Sequence, residues 1–166
     1  QMYADNWRPD YIVGITRGGN VPATILSNML GVRCEALKVS LRDDGSDIGP
    51  ESNLWMSEDA FGYVDQEEQE IVKCRWDLNK RKNILVVDDI NDTGATFNWI
   101  KKDWEASCLP QEDNAWKAVW TNNVRFATLT NNDASEFDNV RYTCHEINKA
   151  EEDVWLVYPW ENVSEY

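Results

Sequence analysis

The sequence predicts an α/β domain with a mostly parallel central sheet flanked by helices. Three observations carry that expectation. Short apolar, β-branched runs recur along the chain, and the clearest, Asn-Ile-Leu-Val-Val over Asn83 to Val87, suits a central strand buried on both faces. Helical patterns alternate with these runs. The loops at 16–20 and 88–95 follow strands and are rich in glycine, threonine and acid. In such sheets ligands bind beyond the carboxyl ends of the strands.

The elements follow in order. Tyr-Ile-Val-Gly-Ile-Thr at 11–16 reads as a buried strand, and Arg17-Gly18-Gly19-Asn20 as a tight loop. Val21 to Leu30 reads as a helix, with Asn20 as its cap, Pro22 in the first turn and Gly31 at its end. Residues 32–41 read as a second strand. Residues 42–80 are polar and carry the acidic run Asp65 to Glu70, so they are expected to be a lid or hood excursion rather than core, with Ile71 to Trp76 as a hairpin strand inside it. After the strand ending at Val87 comes a loop, then helices over Thr96 to Ala106 and 112–120. Strands are expected at Val124 to Thr130, Val140 to His145 and Val154 to Val157.

A chain of 166 residues with 42% hydrophobic content suits a single domain over 1–166 with its own core. A formal charge of −14 has the wrong sign for a broad nucleic-acid surface. No apolar run is long enough to span a bilayer, and Gln1 to Asp5 has no basic, apolar leader, so no membrane partner and a cytoplasmic location are expected. The four cysteines, Cys34, Cys74, Cys108 and Cys144, form no C-x-x-C pair, which argues against a zinc knuckle.

The chemistry is concentrated in Asp88-Asp89-Ile90-Asn91-Asp92-Thr93-Gly94-Ala95-Thr96. A buried strand delivers adjacent acids to the sheet edge. Glycine lets backbone approach a ligand, and the N–H groups at a helix start favour phosphate. Threonine hydroxyls add neutral donors. The acids can accept sugar hydroxyls or hold a hard cation through water. Sugar, phosphate and metal together describe a phosphorylated ribose. An ordinary strand–turn–helix would also tolerate two acids, but the nine-residue run as a whole is far more specific. Neither G-x-x-x-x-G-K-[ST] nor G-x-G-x-x-G is present.

That run resembles the signature of type I phosphoribosyltransferases, and the chain as a whole is most similar to their purine branch. The resemblance implies the type I fold and a 5-phosphoribosyl-1-pyrophosphate (PRPP) site. Asp88 and Asp89 would meet the ribose hydroxyls, and Asp92, Thr93, Gly94, Ala95 and Thr96 would wrap the 5-phosphate. Asp92 would be the general acid/base near the purine. Gly14 to Ala23 is similar to the pyrophosphate loop of bacterial xanthine–guanine phosphoribosyltransferases, so Arg17 and the N–H groups of Gly18 and Gly19 would contact pyrophosphate, across a Thr16–Arg17 peptide that can be cis in relatives. Val154 to Glu161 resembles the base-binding part of a C-terminal segment at 150–166. Trp155 would stack on the purine, the Leu156 backbone would read its edge, and Glu161, with Asp88 and Asp89, would approach Mg²⁺. Purine-specific members usually carry a lysine after the strand matching 124–130. This chain has Thr130-Asn131-Asn132, leaving Asn131 to meet the base edge as a neutral group, and Arg42 is a further cation for pyrophosphate.

The resemblance therefore implies Mg²⁺-dependent transfer of phosphoribosyl from PRPP to a nucleobase, first a 6-oxopurine, with Asp92 and Arg17 as catalytic residues. Isologous dimers are common for small enzymes, so a homodimer is the assembly to test for. Two alternatives stand beside it: a PRPP-binding regulator without catalysis, and a transferase for a pyrimidine or another acceptor.

Overall fold

The computed structural model describes residues 1–39, 53–64, 75–108, 113–152 and 154–161. Along the chain lie β1 (Tyr11–Thr16), α1 (Asn20–Leu30), β2 (Arg33–Lys38), α2 (Leu54–Phe61), β3 (Tyr63–Val64), β4 (Arg75–Trp76), β5 (Ile84–Asn91), α3 (Ala95–Ser107), α4 (Asp113–Ala118), β6 (Val124–Asn132) and β7 (Val140–Ile147). The main sheet has the order β2-β1-β5-β6-β7, and all its pairings are parallel. The chain winds outward from β1 to β2, then returns to lay β5 on the other side of β1. This reversal opens a crevice between the carboxyl ends of β1 and β5, where open α/β sheets bind ligands.

The strand sequences explain why both faces are covered. Ile12, Leu85, Val87 and Ala127 point to one face and pack with Ala23 and Leu30 of α1 and with Trp7 and Tyr142. Their neighbours Tyr11, Val13, Ile15, Ile84, Val86 and Phe126 point to the other, against Phe61 of α2, Phe97, Ile100 and Trp104 of α3, and Trp116 and Trp120. A strand buried twice has no polar face to alternate with, so it reads as a continuous apolar run. Each such side chain contributes about 1.5–3 kcal/mol when fully buried.

Several expectations need correction. The 42–80 stretch is not all excursion. Met56, Ser57, Ala60 and Phe61 of α2 are buried, and α2 belongs to the core facing α3. Phe61 explains this, its ring tilted against that of Trp116 with centroids 5.1 Å apart. β3 and β4 then form a short antiparallel hairpin, so only the end of the expected Ile71–Trp76 strand is seen, and the acidic run and Arg42 lie outside the described residues. Asn20 does not cap α1 but is its first residue. Gly19 occupies the cap position, and the Asn20 amide donates instead to Thr16 Oγ1 at 3.3 Å. Gly31 does end α1, in the left-handed conformation at φ 65°. The expected 112–120 helix ends at Ala118 and continues as a π-helical turn over Val119–Asn123. Residues 154–157 form no strand: β7 is the last member of the sheet, and no ladder partner reaches the segment.

Candidate active site

The strand ends position the site more firmly than a loop would. Asp88, Ile90 and Asn91 still pair with Thr128, Thr130 and Asn131, so β5 extends through both acids instead of ending at Val87. Ladder hydrogen bonds therefore fix the backbone at Asp88 and Asp89. The Asp89 N–H donates to Asp88 Oδ1 at 2.9 Å, and the Ile90 N–H to Asp89 Oδ1 at 2.8 Å.

The Arg17–Asn20 turn leaves β1 and folds directly onto these acids. The Thr16–Arg17 peptide is cis. A methyl group on Gly18 would overlap the Asp89 carboxylate, and one on Gly19 would lie 2.8 Å from Asp88 Cα and Ile15 N. Only glycines allow this approach. Arg17 is exposed beside them.

Asp88 sits in a costly place. Burial, and then the adjacent Asp89 charge, push its carboxyl well above the usual carboxylate range, against backbone hydrogen bonds from Asp89 and Gly19. A site that disfavours its own charge in this way is suited to a cation or to sugar hydroxyl donors. Two carboxylates fit Mg²⁺, which binds through a few carboxylate oxygens and keeps water and phosphate oxygens for the rest. Among the described residues, no three His, Cys, Asp or Glu side chains gather into an enclosing metal site. Glu161 is engaged locally, its Oε2 accepting the Tyr158 N–H at 2.9 Å.

The next turn makes an anion cradle. Gly94 adopts φ 86° and caps α3 without a side-chain bond, and the first turn carries no acid. The Ala95 N–H reaches Thr93 Oγ1 only at 3.4 Å. The helix start thus presents N–H groups and a positive dipole end to solvent. The turn is held from behind. A methyl on Gly94 would come within 2.5 Å of Phe137 N, the Thr93 carbonyl accepts from Glu136 N at 3.1 Å, and the Asp92 carbonyl accepts from Asn132 Nδ2 at 2.8 Å. Thr96 is half-buried in the first turn of α3.

The remaining candidates divide. Asn131 Oδ1 accepts from Asn91 Nδ2 at 2.8 Å, so its acceptor is used within the sheet. Trp155 is 76% exposed, presenting an aromatic face that none of the described residues covers, while Leu156 is half-buried. Their segment is anchored by Tyr158, whose hydroxyl donates to the Asp89 carbonyl at 3.1 Å and accepts from the Thr130 hydroxyl at 2.8 Å, and whose ring stacks on Trp160 at 5.1 Å. Asp92 is paired with Lys149, Nζ to Oδ1 at 2.9 Å.

Motif reading assigned no role to Lys149, Asn132 or Tyr158. Lys149 had one signal: it is the only Lys or Arg after Arg141.

Comparison with known proteins gives a consistent picture. Residues 1–159 match the phosphoribosyl transferase domain family. The hypoxanthine-guanine phosphoribosyltransferase of Saccharomyces cerevisiae is 26% identical over 177 residues, covering 95% of this chain and 76% of that protein. The xanthine-guanine phosphoribosyltransferase of Gluconobacter oxydans is 28% identical over 151 residues, covering 90% of this chain and 67% of the relative. Among solved structures, a purine phosphoribosyltransferase from Pyrococcus horikoshii superimposes with a TM-score of 0.55 at 22% identity, over 93% of this chain and 78% of that one, a likeness of fold.

Proposed function

Because this chain belongs to the phosphoribosyl transferase domain family, we propose that it transfers the 5-phosphoribosyl group of PRPP to a ring nitrogen of a 6-oxopurine and releases pyrophosphate. The observation that carries this reading is the convergence at the β1/β5 crevice: Gly18 and Gly19 press against Asp88 and Asp89, beside the uncapped start of α3. The relatives named for hypoxanthine, guanine and xanthine support the base class.

In this reaction the C1–oxygen bond breaks ahead of bond making, and its electron pair leaves with pyrophosphate. The base nitrogen then supplies the new pair from the opposite face. Arg17 and the N–H groups of Gly18 and Gly19 bind the leaving group, guanidinium being well matched to phosphate oxygens. Asp88 and Asp89 accept the ribose hydroxyls and so orient the sugar. Thr93 to Thr96, with the dipole of α3, bind the 5-phosphate. Asp92 takes the proton that the base loses. Trp155, with its exposed ring, stacks on the purine, and Leu156 meets its edge. Asp88 and Asp89, with Glu161, would hold Mg²⁺, which would supply charge neutralisation for the departing pyrophosphate.

The test is pyrophosphate release from PRPP and Mg²⁺ with guanine, hypoxanthine, xanthine, adenine, uracil and orotate in turn. Release with a 6-oxopurine is the expected result. Tight PRPP binding with no release from any base would replace this reading with a PRPP-sensing regulator. Release with uracil or orotate alone would move it to a pyrimidine acceptor.

A further inference from the structure

We propose that Lys149 is a positioning residue: it holds the Asp92 carboxylate and sets which oxygen of that group faces the acceptor. This rests on the reading of Asp92 as the proton-handling group. Lys149 Nζ lies 2.9 Å from Asp92 Oδ1, and its side chain is only 20% exposed against 43% for Asp92. A surface lysine ordinarily stays mobile, and ion pairs between two mobile side chains gain little because both must be ordered. Here the ordering is already done on both sides by one residue. Asn132 is 6% exposed and uses its two ends differently. Its Nδ2 donates to the Asp92 carbonyl at 2.8 Å, and its Oδ1 accepts the Lys149 N–H at 3.0 Å and the Ala134 N–H at 3.2 Å. A single buried amide thus fastens the backbones of both members of the pair.

The consequence is chemical. With Oδ1 engaged by the ammonium, Oδ2 is the oxygen that receives the ring proton: the N–H bond of the base breaks, its electron pair stays on nitrogen, and the proton bonds to Oδ2.

The experiment uses the full chain with Lys149→Met and Lys149→Arg. Lys149→Met is expected to lower kcat about tenfold or more, with KM for PRPP changed less than about twofold, since a carboxylate no longer aligned loses proton-transfer efficiency. Lys149→Arg is expected to restore most of kcat, because guanidinium can keep the pair. An unchanged kcat in Lys149→Met overturns the proposal. So does a parallel loss in kcat, PRPP affinity and melting temperature that arginine fails to rescue, because that pattern marks a purely structural lysine. A second readout needs no turnover: the acetylation rate of the Lys149 amine, read by mass spectrometry. It is expected to be several-fold slower in the wild type than in Asp92→Asn. Equal rates overturn the pair, and with it the proposal. If the wild type releases no pyrophosphate with any base, the transferase reading fails by itself, and the acetylation ratio still decides whether Lys149 holds Asp92.

Discussion

A methyl group at position 18 would have to displace the Asp89 carboxylate. Gly18→Ala is therefore expected to weaken PRPP binding about tenfold or more, since a hydrogen bond to a charged group is worth at least about 1.5 kcal/mol; isothermal titration checks it. Asp88 makes a different prediction. Burial and the Asp89 charge raise its carboxyl in the folded chain. The native state then keeps a proton that the unfolded chain has already released, so stability falls as pH rises from about 3.9, the unfolded value, through the raised native one. Asp88→Asn removes that cost. The ligand-free variant is expected to melt a few degrees above wild type at neutral pH, with the gap closing in acid, while its PRPP affinity drops. Thermal scans across pH, with and without PRPP, measure both. Asp92→Asn is expected to cut kcat by about 10²-fold or more, the usual contribution of a general acid/base, while PRPP binding stays largely intact. A variant with unchanged turnover would remove Asp92 from that role.

Two elements carry the site because they run on beyond the last β1–β5 pair, Gly14 with Val87. β5 and β6 continue to Asn91 and Asn132, so the acids and the amides behind them are held by a ladder. The C-terminal segment has no such ladder and depends on Tyr158, which ties it to Asp89 and Thr130. Tyr158→Phe keeps the stack on Trp160 and removes only the hydroxyl. The loss of about 1 kcal/mol should lower the melting temperature by about 2–4 °C or less in a chain of this size. The KM for the nucleobase is expected to rise several-fold, because the segment bearing Trp155 and Leu156 is no longer pinned. Steady-state kinetics with the base varied at saturating PRPP separates this from an effect on PRPP.

For the molecule as a whole, the field works against its substrate. The net charge of −14 repels a polyanion, and the exposed Arg17 offsets it only at short range. Screening should therefore help association. At fixed Mg²⁺, kcat/KM for PRPP is expected to rise as salt goes from about 10 mM to about 100 mM and the Debye length contracts from about 30 Å to about 10 Å. A fall over that range would mean that local positive charge, rather than the global field, steers the substrate. Among the described residues no helix is long and apolar enough to cross a membrane, which agrees with the apolar runs being sheet strands.

The sequence alone determined the parallel sheet and singled out the acid-, glycine- and threonine-rich run, because both are written contiguously. A doubly buried strand must be apolar along its whole length, and Asp88 to Thr96 carries acids, glycine and threonines at consecutive positions. It also pointed to Arg17, Gly18 and Gly19 as a second loop at the same sheet edge. Only the tertiary structure decided which groups meet there. Phe61 reaches across to Trp116, which makes α2 core inside a stretch whose polarity suggested a lid. Lys149 reaches Asp92, and Tyr158 reaches Asp89, from segments that follow the last strand. Asn20 turns back to Thr16 rather than capping α1, because Gly19 is already seated against β5. These contacts come from strand order and from the shared overrun of β5 and β6. Local patterns of residues specify an element, but the distance between two elements follows from how the sheet is wound.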